Sequence, residues 1–371
     1  MGKKGFFVAS TGQHVGKTTT CLGLLSGLKK RFESVGFIKP VGQEQMETAC
    51  GRHVDKDVVL FKEHFGLKTA YENMSPVLLP HGFTRDFLDG EIDEKELSKR
   101  IQAAYANIDQ ENQFTLAEGT GHISVGSIVN MNNAQVASLL KLPIILVAPG
   151  GVGSSFDQLA LNRAVCEKHG VRVAGVILNR VLPDKREMIT TYMGRALSRW
   201  NIPLLGCIPY DPFLSNPSMK DFEQLFETQL LSGEEARMRH FRQTRIGAAS
   251  SETYCDLIEQ NQLIITPAAR EDIIRATLQR HWEIKMASPH DDLETGMILT
   301  GDIPPAPALV EEIRRASIPM LYTPVTTYAA MQMITSFTAK IRNEDTQKVR
   351  EAIAVVESHI DFNRLLDTIH N

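Results

Sequence analysis

The chain has 371 residues, 43% of them apolar and 23% charged, and its 40 basic and 44 acidic side chains leave a formal net charge of -4. That composition can fill sizeable cores and excludes disordered, collagen-like and disulfide-scaffold classes. The charge balance gives no footprint for nucleic acid or an anionic membrane, and no apolar run reaches the ~18 residues that a spanning helix needs.

Length alone predicts about two domains. The opening MGKKGFFVAS enters a strand-like run at once, without a signal-type apolar region or cleavage site, and Phe6 breaks the myristoylation pattern. A cytoplasmic location is expected. The five cysteines, Cys21, Cys50, Cys166, Cys207 and Cys255, form no C-x-x-C pair and are expected to be buried reduced thiols.

Short, nearly continuous apolar runs predict strands at Gly5–Ser10, Val35–Val41, Gln113–Glu118, Pro143–Ala148, Val171–Leu178 and Pro203–Pro209. Helical periodicity separates them; Cys21, Leu25, Leu28 and Phe32 mark the first helix. The alternation predicts a mostly parallel sheet with helices on both faces. At Asp211–Pro217 two prolines and polar turn formers interrupt the pattern. A boundary there gives domains over 1–214 and 215–371. The second block reads as a smaller α/β unit: an amphipathic stretch at Met219–Leu231, Arg245–Ala249, a helix near Ser251–Glu259, Asn261–Thr266, a helix near Arg270–Arg280, then Gly296–Thr300, Val310–Arg315 and Met320–Thr323. Two closing helical stripes, Ala330/Ile334/Phe337/Ile341 and Val349/Ile353/Val356/Ile360, suit core or dimer contacts. No repeat or low-complexity segment is seen.

Between the first strand and first helix lies Ser10-Thr11-Gly12-Gln13-His14-Val15-Gly16-Lys17-Thr18-Thr19. Gly12 and Gly16 allow a sharp turn that points successive N–H groups of Gln13, His14 and Val15 at phosphate oxygens, and the following helix adds its positive end. Lys17 would reach the outer phosphates and the Thr18 hydroxyl would ligate Mg²⁺, with Thr19 also expected to bind the nucleotide. The strict G-x-x-x-x-G-K-[ST] pattern needs glycine at position 11; here Thr11 precedes Gly12. No second lysine lies early in the loop, unlike the dimeric partition-type ATPases.

STGQHVGKTT, Phe37-Ile38-Lys39-Pro40-Val41, Leu116-Ala117-Glu118-Gly119, Gly175-Val176-Ile177-Leu178-Asn179 and Leu204-Leu205-Gly206-Cys207-Ile208-Pro209-Tyr210 together resemble the dethiobiotin synthetase family. The nearer resemblance is to the amino-terminal half of long bacterial phosphotransacetylases, where such a domain is followed by a DRTGG domain. Arg245-Ile246-Gly247-Ala248-Ala249, Leu263-Ile264-Ile265-Thr266-Pro267, Arg270-Glu271-Asp272 and Leu299-Thr300-Gly301 resemble that second domain. The chain departs from it at Ala269, where the family Asp is expected, and at Asp302, where the second Gly is expected. Lys39-Pro40-Val41 continues as Gly42-Gln43-Glu44 rather than the serine-bearing substrate stretch of the synthetases. No acyltransferase domain follows within these 371 residues, so phosphate acetyltransferase activity is not expected of the chain by itself.

The resemblance implies roles for residues whose position already suggests them. Glu118 ends a buried run at the crevice where α/β sheets bind ligands, and the family places a Mg²⁺-binding glutamate there; a capping or solvated carboxylate is the plainer reading. Asp57, with Asp55 as alternative, matches a second Mg²⁺-associated acid. Lys39 would offset charge on a transferred phosphoryl group, or be a solvated lysine. Asn179 would hydrogen-bond adenine, with Pro209 and its neighbours closing the base pocket, or be an ordinary strand-end residue. His14 and His122 are expected near the loop as structural histidines. No Cys/His cluster at ligand spacing predicts zinc, and no G-x-S-x-G element predicts a hydrolase triad.

These readings predict a P-loop protein that binds ATP and Mg²⁺ and carries a regulatory, ligand-sensing second domain. The alternative is an ATP hydrolase or an ATP-dependent synthetase of the dethiobiotin or cobyrinic acid diamide type, acting on a carboxylate or carbamate and an amine. A third is a non-catalytic partner of a separate acyltransferase. Homo-oligomerisation is expected; nucleic acid and membrane partners are not.

Overall fold

The structure is a computed structural model describing residues 5–48 and 51–370. Cys50, one of the thiols expected to be buried, lies outside the described residues. Two compact units emerge: Met1–Asp211 together with Ile341–Asn371, and Pro212–Lys340.

The first unit is built on six parallel strands, β1 (Gly5–Ser10), β2 (Val35–Ile38), β3 (Phe114–His122), β4 (Ile144–Pro149), β5 (Val173–Val181) and β6 (Leu204–Pro209), in the order β6-β5-β4-β1-β3-β2. All six predicted strands are present. Their near-continuous apolar character follows from cover on both faces. Phe7 and Ala9 point into one cluster with Ile101, Ala137, Leu146, Leu178 and Met193. The alternate residues Phe6 and Val8, equally buried, project from the opposite face.

Connecting helices are α1 (Lys17–Lys29), α2 (Lys56–Phe65), α3 (Glu94–Glu111), α4 (Asn133–Leu140), α5 (Gly153–Lys168) and α6 (Arg186–Ser198). Two strand ends differ from expectation. β2 stops at Ile38, because Pro40 cannot continue a ladder, and Val41–Gly42 pairs instead with Val77–Leu78. β3 runs four residues past Glu118 to His122. Asn133 holds that extension: its Nδ2 donates to the carbonyls of Thr120 and His122, each at 2.8 Å, and its Oδ1 accepts from Thr120 N at 3.0 Å.

The second unit has four parallel strands, β8 (Gln243–Ile246), β9 (Gln262–Pro267), β10 (Gly296–Thr300) and β11 (Met320–Thr323), with β7 (Leu230–Ser232) antiparallel at one edge, in the order β7-β11-β10-β9-β8. Its helices are α7 (Met219–Leu225), α8 (Ser251–Leu257), α9 (Glu271–Ala287), α10 (Pro307–Ala316) and α11 (Thr327–Ser336). α8, α9 and α10 bury Tyr254, Ile273, Ile274, Leu309 and Ile313 on one face of the sheet. Met219, Phe222 and Ala330, from α7 and α11, cover the other.

The end of the chain does not belong where the sequence reading put it. α12 (Thr346–Glu357) and α13 (Phe362–His370) are part of the first unit. α12 packs along α1, where Val349 and Val356 are fully buried. Gly23 and Gly27, one turn apart on α1, open the groove. A Cβ on Gly23 would lie 2.3 Å from Val356, and one on Gly27 would lie 2.1 Å from the Phe362 ring. Residues 215–371 therefore do not form one domain. Of the predicted stripe on α11, Ala330 is buried, whereas Phe337 and Ile341 fall beyond the helix end.

Cys21, Cys166 and Cys207 are free and buried as expected; Cys255 is free but exposed. On α8 its neighbour Tyr254 takes the inward position, so the thiol turns to solvent. No helix of the described residues is long and apolar enough to cross a membrane.

Candidate functional site

The loop between β1 and α1 is held from below and from the side. Lys17, the first residue of α1, folds back so that its Nζ donates to Gly121 O at 2.5 Å and to Ser10 Oγ at 3.2 Å. His14 adopts φ 57° and Gly16 φ 93°, the latter at the N-cap. Asn179 closes against the loop: its Nδ2 donates to Val15 O at 2.8 Å, and a Cβ on Gly16 would stand 2.2 Å from that nitrogen. Gly16 is thus required twice, for its dihedral and for its lack of a side chain. On the other flank, α5 braces Thr11: the Thr11 hydroxyl bonds Gln158 Oε1 at 3.1 Å and Asn162 Nδ2 reaches Thr11 O at 3.3 Å.

α1 begins without a side-chain cap and without an acidic residue in its first turn. The first-turn N–H groups of a helix have no intrahelical acceptor, and the macrodipole places partial positive charge there. Nothing in the sequence of α1 offsets that charge, which suits an external anion.

Beneath the loop lies a buried charge cluster. Glu118 is 1% exposed; its Oε1 accepts from the Thr18 hydroxyl at 2.9 Å, while its Oε2 meets no hydrogen-bond partner among the described residues. The Cys21 thiol, one turn beyond Thr18 on α1, faces the same carboxylate and is only a weak donor. Burial pushes Glu118 up to about 7, the charge of Asp57 adds to the shift, and Lys39, Lys17 and the Thr18 hydroxyl oppose it. Burial lowers Lys17, with Glu118 acting against that shift.

Lys39 is also buried, at 6% exposure. Its Nζ lies 3.0 Å from Asp55 Oδ1 and forms a direct ion pair with Asp57. Burial disfavours its charge, but Asp57, Asp55 and Glu118 outweigh burial and hold the ammonium above its ordinary range. The two aspartates divide their work. Asp55 is the N-cap of α2 and is fully buried: Oδ1 accepts from Asp57 N at 3.0 Å, and Oδ2 accepts from Gln43 N at 3.1 Å and Glu44 N at 3.3 Å. Asp57, in the first turn of α2, keeps a side chain 22% exposed. The two acids offered as alternatives thus differ in their surroundings: Asp55 clamps backbone N–H groups, whereas Asp57 is the more exposed of the two and is paired with Lys39.

The structure thus gathers Lys17, Thr18, Lys39, Asp57 and Glu118 at one locus, with Gly12, Gln13, His14, Val15, Gly16 and Thr19 around it. Gln13 and His14 are exposed at the loop tip, and Arg180 Nη1 donates to His14 O at 3.2 Å. His122 Nδ1 accepts from Ser124 N at 3.3 Å, a local turn contact. Asn179 reaches the loop but spends Nδ2 on Val15 and Oδ1 on Arg180 N at 2.9 Å, two of its four hydrogen-bonding positions. Pro209 ends β6 and is followed by the partly exposed Tyr210, whose N–H donates to Val181 O at 2.8 Å. Asn133, Gln158 and Asn162 escaped the sequence reading, since an amide that braces a distant loop leaves no local pattern. Asp55 had a readable signal: an Asp immediately before a helical apolar run is an N-cap pattern.

A divalent cation fits here on the chemistry of the donors. The hydroxyl and two carboxylates are hard oxygens, and one carboxylate oxygen is buried without a partner. Among the described residues no group of three or more His, Cys, Asp or Glu side chains is arranged for a metal.

In the second unit the motif residues act as ties. Arg270 Nη2 donates to Ala249 O at 2.7 Å and its guanidinium pairs with Asp272 at 2.8 Å. Thr300 Oγ1 donates to Thr266 O at 3.3 Å and shares a 2.8 Å hydrogen bond with Thr327.

Comparison with known proteins finds one family match lying largely within each unit. A family profile described as an AAA domain matches residues 4–218, and one described as a DRTGG domain matches 223–337. A phosphate acetyltransferase of Synechocystis sp. is 28% identical over 97% of this chain and 51% of its own length. One from Nitratidesulfovibrio vulgaris is 26% identical over the same shares. An ATP-dependent dethiobiotin synthetase of Bacillus subtilis subsp. natto is 27% identical over 56% of this chain and 87% of its own length. The chain spans about half the length of the phosphate acetyltransferases it matches.

Proposed function

Because the chain belongs to the AAA domain family through residues 4–218 and carries a DRTGG domain over 223–337, we propose that its first unit binds ATP with Mg²⁺ and that its second unit makes the response to nucleotide conditional on another ligand. The observation that carries this reading is the Thr18–Glu118 pair: a buried carboxylate with one oxygen unpartnered, set under an uncapped helix N-terminus. A buried carboxylate oxygen left without a hydrogen-bond partner is costly unless a ligand meets it. Thr18, Asp57 and Glu118 would hold the ion, and the ion would neutralise charge on the phosphates. Lys17 would leave Gly121 O for the outer phosphates. The dethiobiotin synthetase relative, named as ATP-dependent, supports nucleotide use.

The test is a calorimetric titration of the full chain with ATP and Mg²⁺, set against Lys17→Ala. A single-site isotherm weakened at least tenfold by the substitution is expected. Equal heats from both proteins would end this reading.

A synthetase reading is favoured by one observation, the buried Lys39 beside the same cluster. It requires ADP release stimulated by a carboxylate, an amine or bicarbonate. No stimulation across such a panel would remove it.

A further inference from the structure

Lys39 and the expected divalent ion claim the same carboxylate. Lys39 Nζ pairs with Asp57, which is also the partly open acid beside the Thr18–Glu118 pair. Its second contact, Asp55, lies 3.0 Å away and cannot follow it, since both Asp55 oxygens accept backbone N–H groups of residues 43, 44 and 57. The ammonium therefore has one fixed anchor and one shared partner.

The charges show what Lys39 contributes to this arrangement. Asp55, Asp57 and Glu118 carry three negative charges when ionised, and Lys17 and Lys39 supply two positive ones. Removing Lys39 would leave Asp57 and Glu118 to repel each other, with Lys17 and Lys56 as the cations that still act on the cluster. A divalent ion approaching while Lys39 is seated on Asp57 meets a like charge at a carboxylate already in use. A polyphosphate approaching without a cation meets three carboxylates.

We propose that Lys39 is a built-in counter-cation that holds Asp57 until a divalent ion and a polyphosphate arrive together, and that it thereby keeps the free ion out of the site. Arrival of the pair transfers Asp57 to the metal and leaves Lys39 anchored by Asp55, with its charge available to the incoming anion. Lys39 is on this account a positioning residue that makes metal and nucleotide binding interdependent, whichever reaction follows. The inference rests on the nucleotide reading above.

The test measures Mn²⁺ binding by loss of the free-ion electron paramagnetic resonance signal, without nucleotide, in wild type, Lys39→Met, Lys39→Arg and Lys39→Met/Glu118→Gln. Lys39→Met is expected to bind Mn²⁺ at least tenfold more tightly than wild type. Lys39→Arg, which keeps the charge, should resemble wild type, and the double variant should lose the gain. Lys39→Gln, a polar replacement that can still donate to Asp57, serves if Lys39→Met is insoluble. Equal Mn²⁺ affinities in wild type and the neutral variants, or a double variant that binds Mn²⁺ as tightly as Lys39→Met, would overturn the proposal. Nucleotide titration of the wild type keeps the two failures apart: binding of ATP with equal Mn²⁺ affinities sinks only the role of Lys39, whereas absence of ATP binding sinks the function itself.

Discussion

The Asn179 side-chain amide donates to the carbonyl oxygen of Val15 across 2.8 Å, joining the end of β5 to the phosphate loop. The two residues are 164 positions apart in sequence, and the contact is buried. It fixes the carbonyl just before Gly16, whose φ of 93° sets the direction of the next amide.

Asn179→Ala should therefore loosen the loop without touching its sequence. A buried carbonyl left unpaired costs roughly 1–3 kcal/mol. Part of that cost should appear as an ATP affinity about tenfold weaker, and part as a lower melting temperature of the nucleotide-free protein. Gly16→Ala should be harsher, because the added methyl meets both an unfavourable dihedral and the Asn179 nitrogen. Calorimetry and thermal melting of the two variants check this. Wild-type values for Asn179→Ala would show the contact to be idle.

The returning helices make a separate prediction about stability. Phe362 is 4% exposed, its ring fills the space over Gly27, and the Arg31 guanidinium stacks on it at 4.3 Å. Phe362→Ala should cost roughly 3–5 kcal/mol, as large core truncations do. Gly27→Leu should destabilise by overpacking the same groove. Chemical denaturation followed by near-ultraviolet signals would read both. If stability were unchanged, α13 would not be part of the core.

Thiol reactivity distinguishes the cysteines. Cys255 is exposed, whereas burial pushes up the thiols of Cys21, Cys166 and Cys207, the second of them to about 12. Thiolate is the reactive form. Brief iodoacetamide treatment at neutral pH followed by peptide mass spectrometry should label Cys255 well before those three. Early labelling of Cys21 would mean that α1 opens readily, and with it the site.

The motif arginine of the second unit should behave as a structural tie. Arg270→Ala removes the bond to Ala249 O and the pair with Asp272. About 1 kcal/mol of stability should be lost, in line with partly exposed hydrogen bonds. ATP titration of the variant should give the wild-type affinity. A loss of ATP affinity would instead make Arg270 a link between the units.

Much of the first unit is legible from sequence because its signals are local. Six apolar runs of strand length announce six parallel strands, and the loop from Ser10 to Thr19 carries its chemistry in consecutive residues. The resemblance extends that reading to Glu118 and Lys39. It does not say that Lys39 is seated between Asp55 and Asp57, or that Glu118 sits within a strand that Asn133 extends to His122. Those facts join residues dozens of positions apart. The misplaced C-terminal helices show the same limit. The stripe Val349/Val356 says that one face is buried, but a period of 3.6 residues carries no information about the surface it meets.

By itself, then, the sequence determined the strand and helix pattern, the glycine-bearing turn between β1 and α1 and the types of side chain available to it, since each of these depends on backbone preferences and spacing over a few residues. Only the tertiary structure decided which charges are paired, which oxygen is left without a partner and which unit owns the chain from Ile341 onward, because burial and electrostatic energy depend on through-space neighbours that chain order does not specify.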